Sequence, residues 1–429
     1  MNDQWEVVSG HVSIVDGVIA AISDRELAKS HDRTIDAHGG YVLPGFIQTH
    51  IHLCQTLFRG YADDLPLMDW LRTRVWLMEA AHTPASLRAA TRLATTELLM
   101  TGTTSVLTME TVHDTDAVFE AAAESGIRAT IGKCMMDAPA DGTPARLRER
   151  FQASLDESRG LLKRWDGAAD GRLRAAFAPR FAVSCSRALL EAVADLSADT
   201  QTIVHTHASE SREEVSIVRA LSGLSNVEYL AAVRLASPRL CAAHCVWVGD
   251  REQALLAEHD VKVLHCPGSN LKLGSGLAPV AELRARGVTV SLGADGAACN
   301  NRLDMFEEMR LAALLQATRR GPGALTARDA LRMATRDGAR TLGSDHELGS
   351  IEIGKRGDVI VVDRDRLPLA PDVDPYSTLV YAARGSDVRT TIVGGRVLVD
   401  EFAPTVVDPA EVAASARAEA RALAARAGL

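Results

Sequence analysis

Residues 45–52 read GFIQTHIH: an apolar, β-branched run that closes on two histidines two residues apart. Successive side chains on a strand alternate faces, so His50 and His52 point the same way from its end. Seven further stretches repeat the plan of a β-type run: TTSVLTME (103–110), IRATIGKC (127–134), LRAAFAPR (173–180), TIVHTHAS (202–209), RLCAAHCV (239–246), VKVLHCP (261–267) and VTVSLGAD (288–295). Helix-type segments separate them, such as SLRAATRLATTELLMTG, which stops on Gly102. Eight strand–helix units in about 250–300 residues predict an α/β fold, a (β/α)₈ TIM-type barrel over 45–346. An open doubly wound sheet is the alternative.

Outside the barrel segment the pattern changes. HVSIVDG and VIAAIS alternate apolar and polar residues around Asp16-Gly17, the signature of a hairpin turn. SIEIGKRGDVIVVD and VRTTIVGGRVLVDE, far along the chain, carry similar β-branched runs between glycine-rich turns. Neither piece can bury a core alone. Residues 1–44 and 347–403 are therefore expected to combine in one small β-sandwich-like domain. The Ala/Arg/Glu-rich tail, 404–429, reads as a C-terminal surface helix. Because so short a run precedes the hairpin, Met1 is a candidate internal methionine with a strand upstream.

Composition removes several function classes. The 429 residues carry a formal net charge of −9, which disfavours sequence-independent binding to nucleic acid or an anionic membrane surface. Apolar windows end before the roughly 18 residues a membrane span needs, and no signal-peptide pattern opens the chain. Seven cysteines without paired spacing fit reduced thiols better than a disulfide framework, so a cytoplasmic location is expected.

The chemistry concentrates where the barrel strands end, the face on which barrel enzymes place their active sites. His50 and His52 close the first strand. His205 and His207 close the fifth, with Glu210 three residues beyond. His244 closes the sixth and Asp295 the eighth. Same-face imidazoles suit a zinc site, and a carboxyl just past a ligating histidine suits proton transfer. Taken singly, each group has a plainer reading: a capped strand end, an acidic first helical turn in SESREE, or a turn aspartate before Gly296. Their joint placement on one rim favours the functional reading.

The runs LPGFIQTHIH, HTHASE, AHC, HCPGSN and GADGAACNN resemble the amidohydrolase superfamily over nearly the whole chain. More narrowly they resemble the branch of S-adenosylhomocysteine, 5′-methylthioadenosine and 5′-deoxyadenosine deaminases, guanine deaminase and s-triazine hydrolases. That resemblance implies one divalent metal held by His50, His52, His207 and Asp295, zinc by default, with Fe²⁺ or Mn²⁺ also suited to the ligand set. Arg180 stands near the place of the bridging lysine found in binuclear relatives, which favours a single ion. The implied catalytic residues are Asp295, which takes a proton from water, Glu210, which donates one to a substrate ring nitrogen, and His244, which hydrogen-bonds the attacking oxygen. His205 and His265 are expected to support them.

Substrate residues are sought in the loop after the first strand, LCQTLFRGYADDLPLMDWLRTRVWLMEAA, which has the character of a lid over a planar ligand. Its resemblance to adenosine-type deaminases implies that Glu79 meets ribose hydroxyls, and Trp76 is a candidate aromatic contact. Gln55 and Arg180 instead resemble the groups that meet the base in guanine deaminase. The expected substrate is a small-molecule purine, a 5′-modified adenosine first, guanine second and an amino- or chloro-s-triazine third. Cyclic amidases and a non-catalytic scaffold are the rival classes. The other expected partner is a further copy of the chain, as a homo-oligomer.

Overall fold

The computed structural model describes residues 2, 4–25, 32–138 and 140–429. Met1 lies outside them. Eight parallel strands form the centre: Phe46–Ile51, Thr103–Met109, Arg128–Met135, Leu173–Pro179, Val204–Ala208, Leu240–His244, Lys262–His265 and Val290–Leu292. They lie in that order in one sheet, each inside the stretch read from the sequence except Arg128–Met135, which runs one residue past 127–134. Asp295 N–H donates to the His50 carbonyl at 3.0 Å, and Thr49 Oγ1 donates to the Leu292 carbonyl at 3.0 Å, so the last strand meets the first. A Cβ at Gly293 would lie 2.4 Å from that His50 carbonyl oxygen, so only glycine lets the two strand ends come this close. The result is a nearly closed barrel of parallel strands with helices packed on it. The helix Pro84–Met100 begins under a Thr83–Ser86 capping box and is followed by Gly102 at φ +88°.

The chain ends build two antiparallel sheets. Five strands, Ala403–Pro404, Arg396–Asp400, Val388–Val393, Val359–Val362 and Tyr41–Pro44, join residues from both ends in that order. The hairpin His11–Val15/Val18–Ser23 is a separate two-stranded sheet. Asp16 and Gly17 both take positive φ, 50° and 78°, as a tight hairpin turn requires. Ile19 docks the hairpin on Ile351 and Val359, and its N–H donates to the Lys355 carbonyl at 2.8 Å. Within SIEIGKRGDVIVVD the strand is Val359–Val362, and Arg356 in the turn before it makes an isolated bridge to Val18 of the hairpin. The helix Pro409–Ala427 packs along Pro84–Met100. Among the described residues no helix is long and apolar enough to cross a membrane.

Candidate metal and active site

Three histidines and one aspartate converge at the C-terminal rim. His52 Nδ1 lies 2.6 Å from the Met109 carbonyl, and His207 Nδ1 lies 2.8 Å from the Arg180 carbonyl. A carbonyl only accepts, so both rings carry their proton on Nδ1 and turn a lone pair outward on Nε2. Those two Nε2 atoms face each other at 3.3 Å. His50 Nδ1 pairs with His205 Nε2 at 2.6 Å, leaving a buried His50 Nε2 without a hydrogen-bond partner. Asp295 Oδ1 lies 3.4 Å from His50 Nε2 and 3.2 Å from His52 Nε2.

These spacings suit a metal ion, with His50, His52 and Asp295 in one candidate ligand group and His50, His207 and His244 in another. Bonds of about 2.0–2.1 Å in tetrahedral array separate neighbouring ligand atoms by about 3.3–3.4 Å. Lone pairs buried at that spacing repel unless a cation sits among them. Burial pushes His50 down to about 4, so its ring is neutral and able to ligate near neutral pH. Burial opposes ionisation of Asp295, yet His50 and His52 hold its carboxyl well below the usual carboxylate range.

Beside this cluster stand Glu210 and His244. His244 Nδ1 donates to Asn270 Oδ1 at 2.9 Å, and its Nε2 faces Glu210 Oε2 at 3.6 Å and Asp295 Oδ2 at 3.8 Å. Burial pushes the Glu210 carboxyl up to about 7, with His244 opposing and Asp295 reinforcing the shift. His244 and Asp295 adopt left-handed backbone angles, φ 71° and 65°, and Ser209 does so at 55°. Such strain costs about 1–3 kcal/mol each and clusters at functional sites.

A cavity opens over these groups. His52, His207, Glu210, His244 and Asp295 form its floor, and Leu67, Trp70, Leu71, Phe181 and Leu273 its apolar walls. Gln55 and Arg180 also reach the lining. Glu79 stands one bond behind them: its Oε2 accepts from Arg180 Nη1 at 2.6 Å, and its Oε1 from Gln55 Nε2 at 3.1 Å. The two sets of residues singled out for different substrates are therefore one buried network. Trp76 is placed differently from expectation. It is fully buried and does not reach the lining, whereas Trp70, six residues earlier in the same apolar cluster, supplies an aromatic wall of the cavity. The lid helix widens to π geometry over Leu71–Val75, directly after that tryptophan.

Of the two supporting histidines, His205 bonds to His50 as described, whereas neither ring nitrogen of buried His265 has a protein partner. Other braces were not singled out in the sequence. Ser269 Oγ donates to Asp295 Oδ2 at 2.7 Å from the same short helix that carries Asn270. Glu308, fully buried, accepts from Gly268 N–H at 3.0 Å and Asn300 Nδ2 at 2.8 Å, tying the loops after the seventh and eighth strands together. A Cβ at Gly268 would fall 2.6 Å from Glu308 Oε1, so this clamp needs glycine there. Glu110 accepts from Leu53 and Cys54 N–H at 3.1 and 2.8 Å, fixing the turn that follows His52. The HCPGSN and GADGAACNN runs contained that signal, as polar residues beside a ligand-bearing strand end.

The amidohydrolase family model matches residues 41–398, and the chain belongs to that family. It is 39% identical to a 5′-deoxyadenosine deaminase of Methanosarcina acetivorans over 99% of this chain and 96% of the relative. It is 40% identical to a 5-methylthioadenosine/S-adenosylhomocysteine deaminase of Natronomonas pharaonis, covering 96% of this chain and 93% of that one. Among solved structures, an adenosine deaminase from Xanthomonas campestris with bound zinc superposes with a TM-score of 0.88 at 33% identity, covering 96% and 93% of the two chains.

Proposed function

We propose that the protein is a metal-dependent hydrolytic deaminase that releases ammonia from a 5′-modified adenosine, with 5′-deoxyadenosine the first candidate. The observation that carries this reading is the convergence of ligand atoms from His50, His52, His207 and Asp295, with Glu210 and His244 beside them under one cavity. A divalent ion there would supply Lewis-acid activation of water. Zinc suits the three-nitrogen, one-oxygen donor set, and Fe²⁺ or Mn²⁺ would also be accepted.

The remaining work falls to side chains. Asp295 Oδ2 receives the proton of the attacking water while Ser269 steadies it. Glu210, protonated, donates to a ring nitrogen and so makes the amino-bearing carbon electrophilic. His244 hydrogen-bonds the incoming oxygen and stabilises charge at the tetrahedral carbon. Proton delivery to the exocyclic nitrogen then lets ammonia leave. Trp70, Phe181 and the leucines would take the purine face and an apolar 5′ group, while Gln55 and Arg180 hold its polar edge.

A second reading, guanine, is favoured by one observation: Gln55 and Arg180 line the cavity, and Glu79 stands behind them. Ammonia release by the metal-loaded protein from 5′-deoxyadenosine and from guanine, measured side by side, tests both. Turnover of the nucleoside is the expected result. Turnover of guanine alone would transfer the assignment to it, and turnover of neither would overturn both.

A further inference from the structure

The proton donor sits on a turn that has no regular secondary structure of its own. Ser209 is a non-glycine residue at φ +55°, and Glu210 follows it before the helix Arg212–Ser222 begins. Ser211 caps that helix, its Oγ accepting from Glu214 N–H at 3.2 Å. Serine at the cap and glutamate three residues on is the sequence of a capping box, in which the glutamate returns to the N–H of the cap residue itself. Glu214 does something else. Its carboxylate reaches past Ser211 and accepts from Ser209 N–H at 3.2 Å through Oε1 and from Glu210 N–H at 2.6 Å through Oε2.

The side chain is also in the wrong place for an ordinary helix cap. Glu213 beside it is exposed, whereas Glu214 is 1% exposed. An ionised carboxylate is buried only where donors compensate it. Two of its donors are the backbone amides that set the direction of Glu210. The third is Asn226 Nδ2, on the next helix, which donates to Oε1 at 2.6 Å. From the other side, Val246 and Trp247 N–H donate to the Ser209 carbonyl at 3.0 and 2.9 Å, so the strained residue is gripped at both its amide and its carbonyl.

We propose that Glu214 is a positioning residue for the reaction: its buried carboxylate, braced by Asn226, holds the Ser209–Glu210 amides and so aims the Glu210 carboxyl at the substrate ring. This rests on the reading of Glu210 as proton donor. It assigns to Glu214 no contact with substrate or metal.

The test is a double-mutant cycle on the metal-loaded full chain, with 5′-deoxyadenosine as substrate and with metal content and thermal melting recorded for each variant. Glu214→Gln keeps the size of the side chain but loses one acceptor. It should retain metal and leave KM within about twofold, while kcat falls about 10–100-fold, the range typical of groups that orient a site from outside. Glu210→Gln alone should fall further. In the double variant, Glu214→Gln should cost nothing more, because a group acting only through Glu210 has nothing left to aim. An additive loss in the double variant would overturn the proposal and leave the role of Glu210 intact. Normal turnover by Glu210→Gln would overturn both. Should Glu214→Gln not fold, Asn226→Ala enters the same cycle, with a smaller fall in kcat that again vanishes in the Glu210→Gln background; persistence of that fall would reject the proposal.

Discussion

On the metal-facing side of the cavity, His52 and His207 are fixed through main-chain carbonyls, and Asp295 is joined to the first strand through its own N–H. On the lid side, attachment runs through side chains. Arg59 meets Glu97 at 2.6 Å, Lys272 reaches Asp63 at 2.5 Å and also contacts Asn301 and the Ala298 carbonyl, and Arg180 grips Glu79. His52 and His207 on the rim are thus held through main-chain carbonyls, and the lid by ion pairs of graded burial. Substitutions on the rim should abolish chemistry with little change in fold. Those on the lid should change stability or substrate affinity first.

The largest effect is expected from Asp295→Ala. It removes one of four converging ligand atoms and should leave the protein folded, with metal lost or inert. Its activity should fall by more than the about 10–100-fold typical of an outer partner. Elemental analysis beside an ammonia assay checks it, and full activity at full metal occupancy would break the contrast. Glu210→Gln should keep the metal and lose about 10²–10⁴-fold in kcat. The pH profile sharpens this point. The donating form of Glu210 is protonated and burial pushes its carboxyl up to about 7, so kcat should hold below that pH and fall as pH rises through it. A kcat that rises across neutrality would contradict the role.

On the lid side, Arg180→Met leaves the Glu79 carboxylate buried without its cation and should cost about 3–5 kcal/mol in urea unfolding. A loss below about 1 kcal/mol would show that the network is not the lid's main anchor. Asp63→Asn is the mildest change. Its partner Lys272 is 23% exposed and Asp63 39% exposed, so solvent screens the pair. A change of roughly 0–1 kcal/mol is expected, read as at most a few-fold rise in KM.

The same division explains what the sequence disclosed. Every barrel strand was legible because a β-type run between helical stretches is a local pattern, and side-chain alternation carries the ends of those runs to one rim. His50, His52, His207, His244 and Asp295 needed no knowledge of distant contacts to be placed there. Glu214, Ser269, Asn270 and Glu308 were not legible in that way. Each is a polar residue on a helix, and its meaning depends on which backbone groups the fold brings near. Trp70 and Trp76 show the limit for the lid: aromatic content marked the loop, but residues six apart on a helix do not share a face. The hairpin His11–Ser23 was visible as a hairpin, while its separation from the five-stranded sheet depends on docking at Ile19.

Zinc X-ray absorption spectroscopy on the reconstituted protein reads the metal's neighbours directly. One zinc per chain is expected, with nitrogen and oxygen neighbours at about 2.0–2.1 Å, imidazole scattering and no sulfur. A zinc–sulfur distance near about 2.3 Å, or a metal–metal vector, would contradict the single site built from His50, His52, His207 and Asp295.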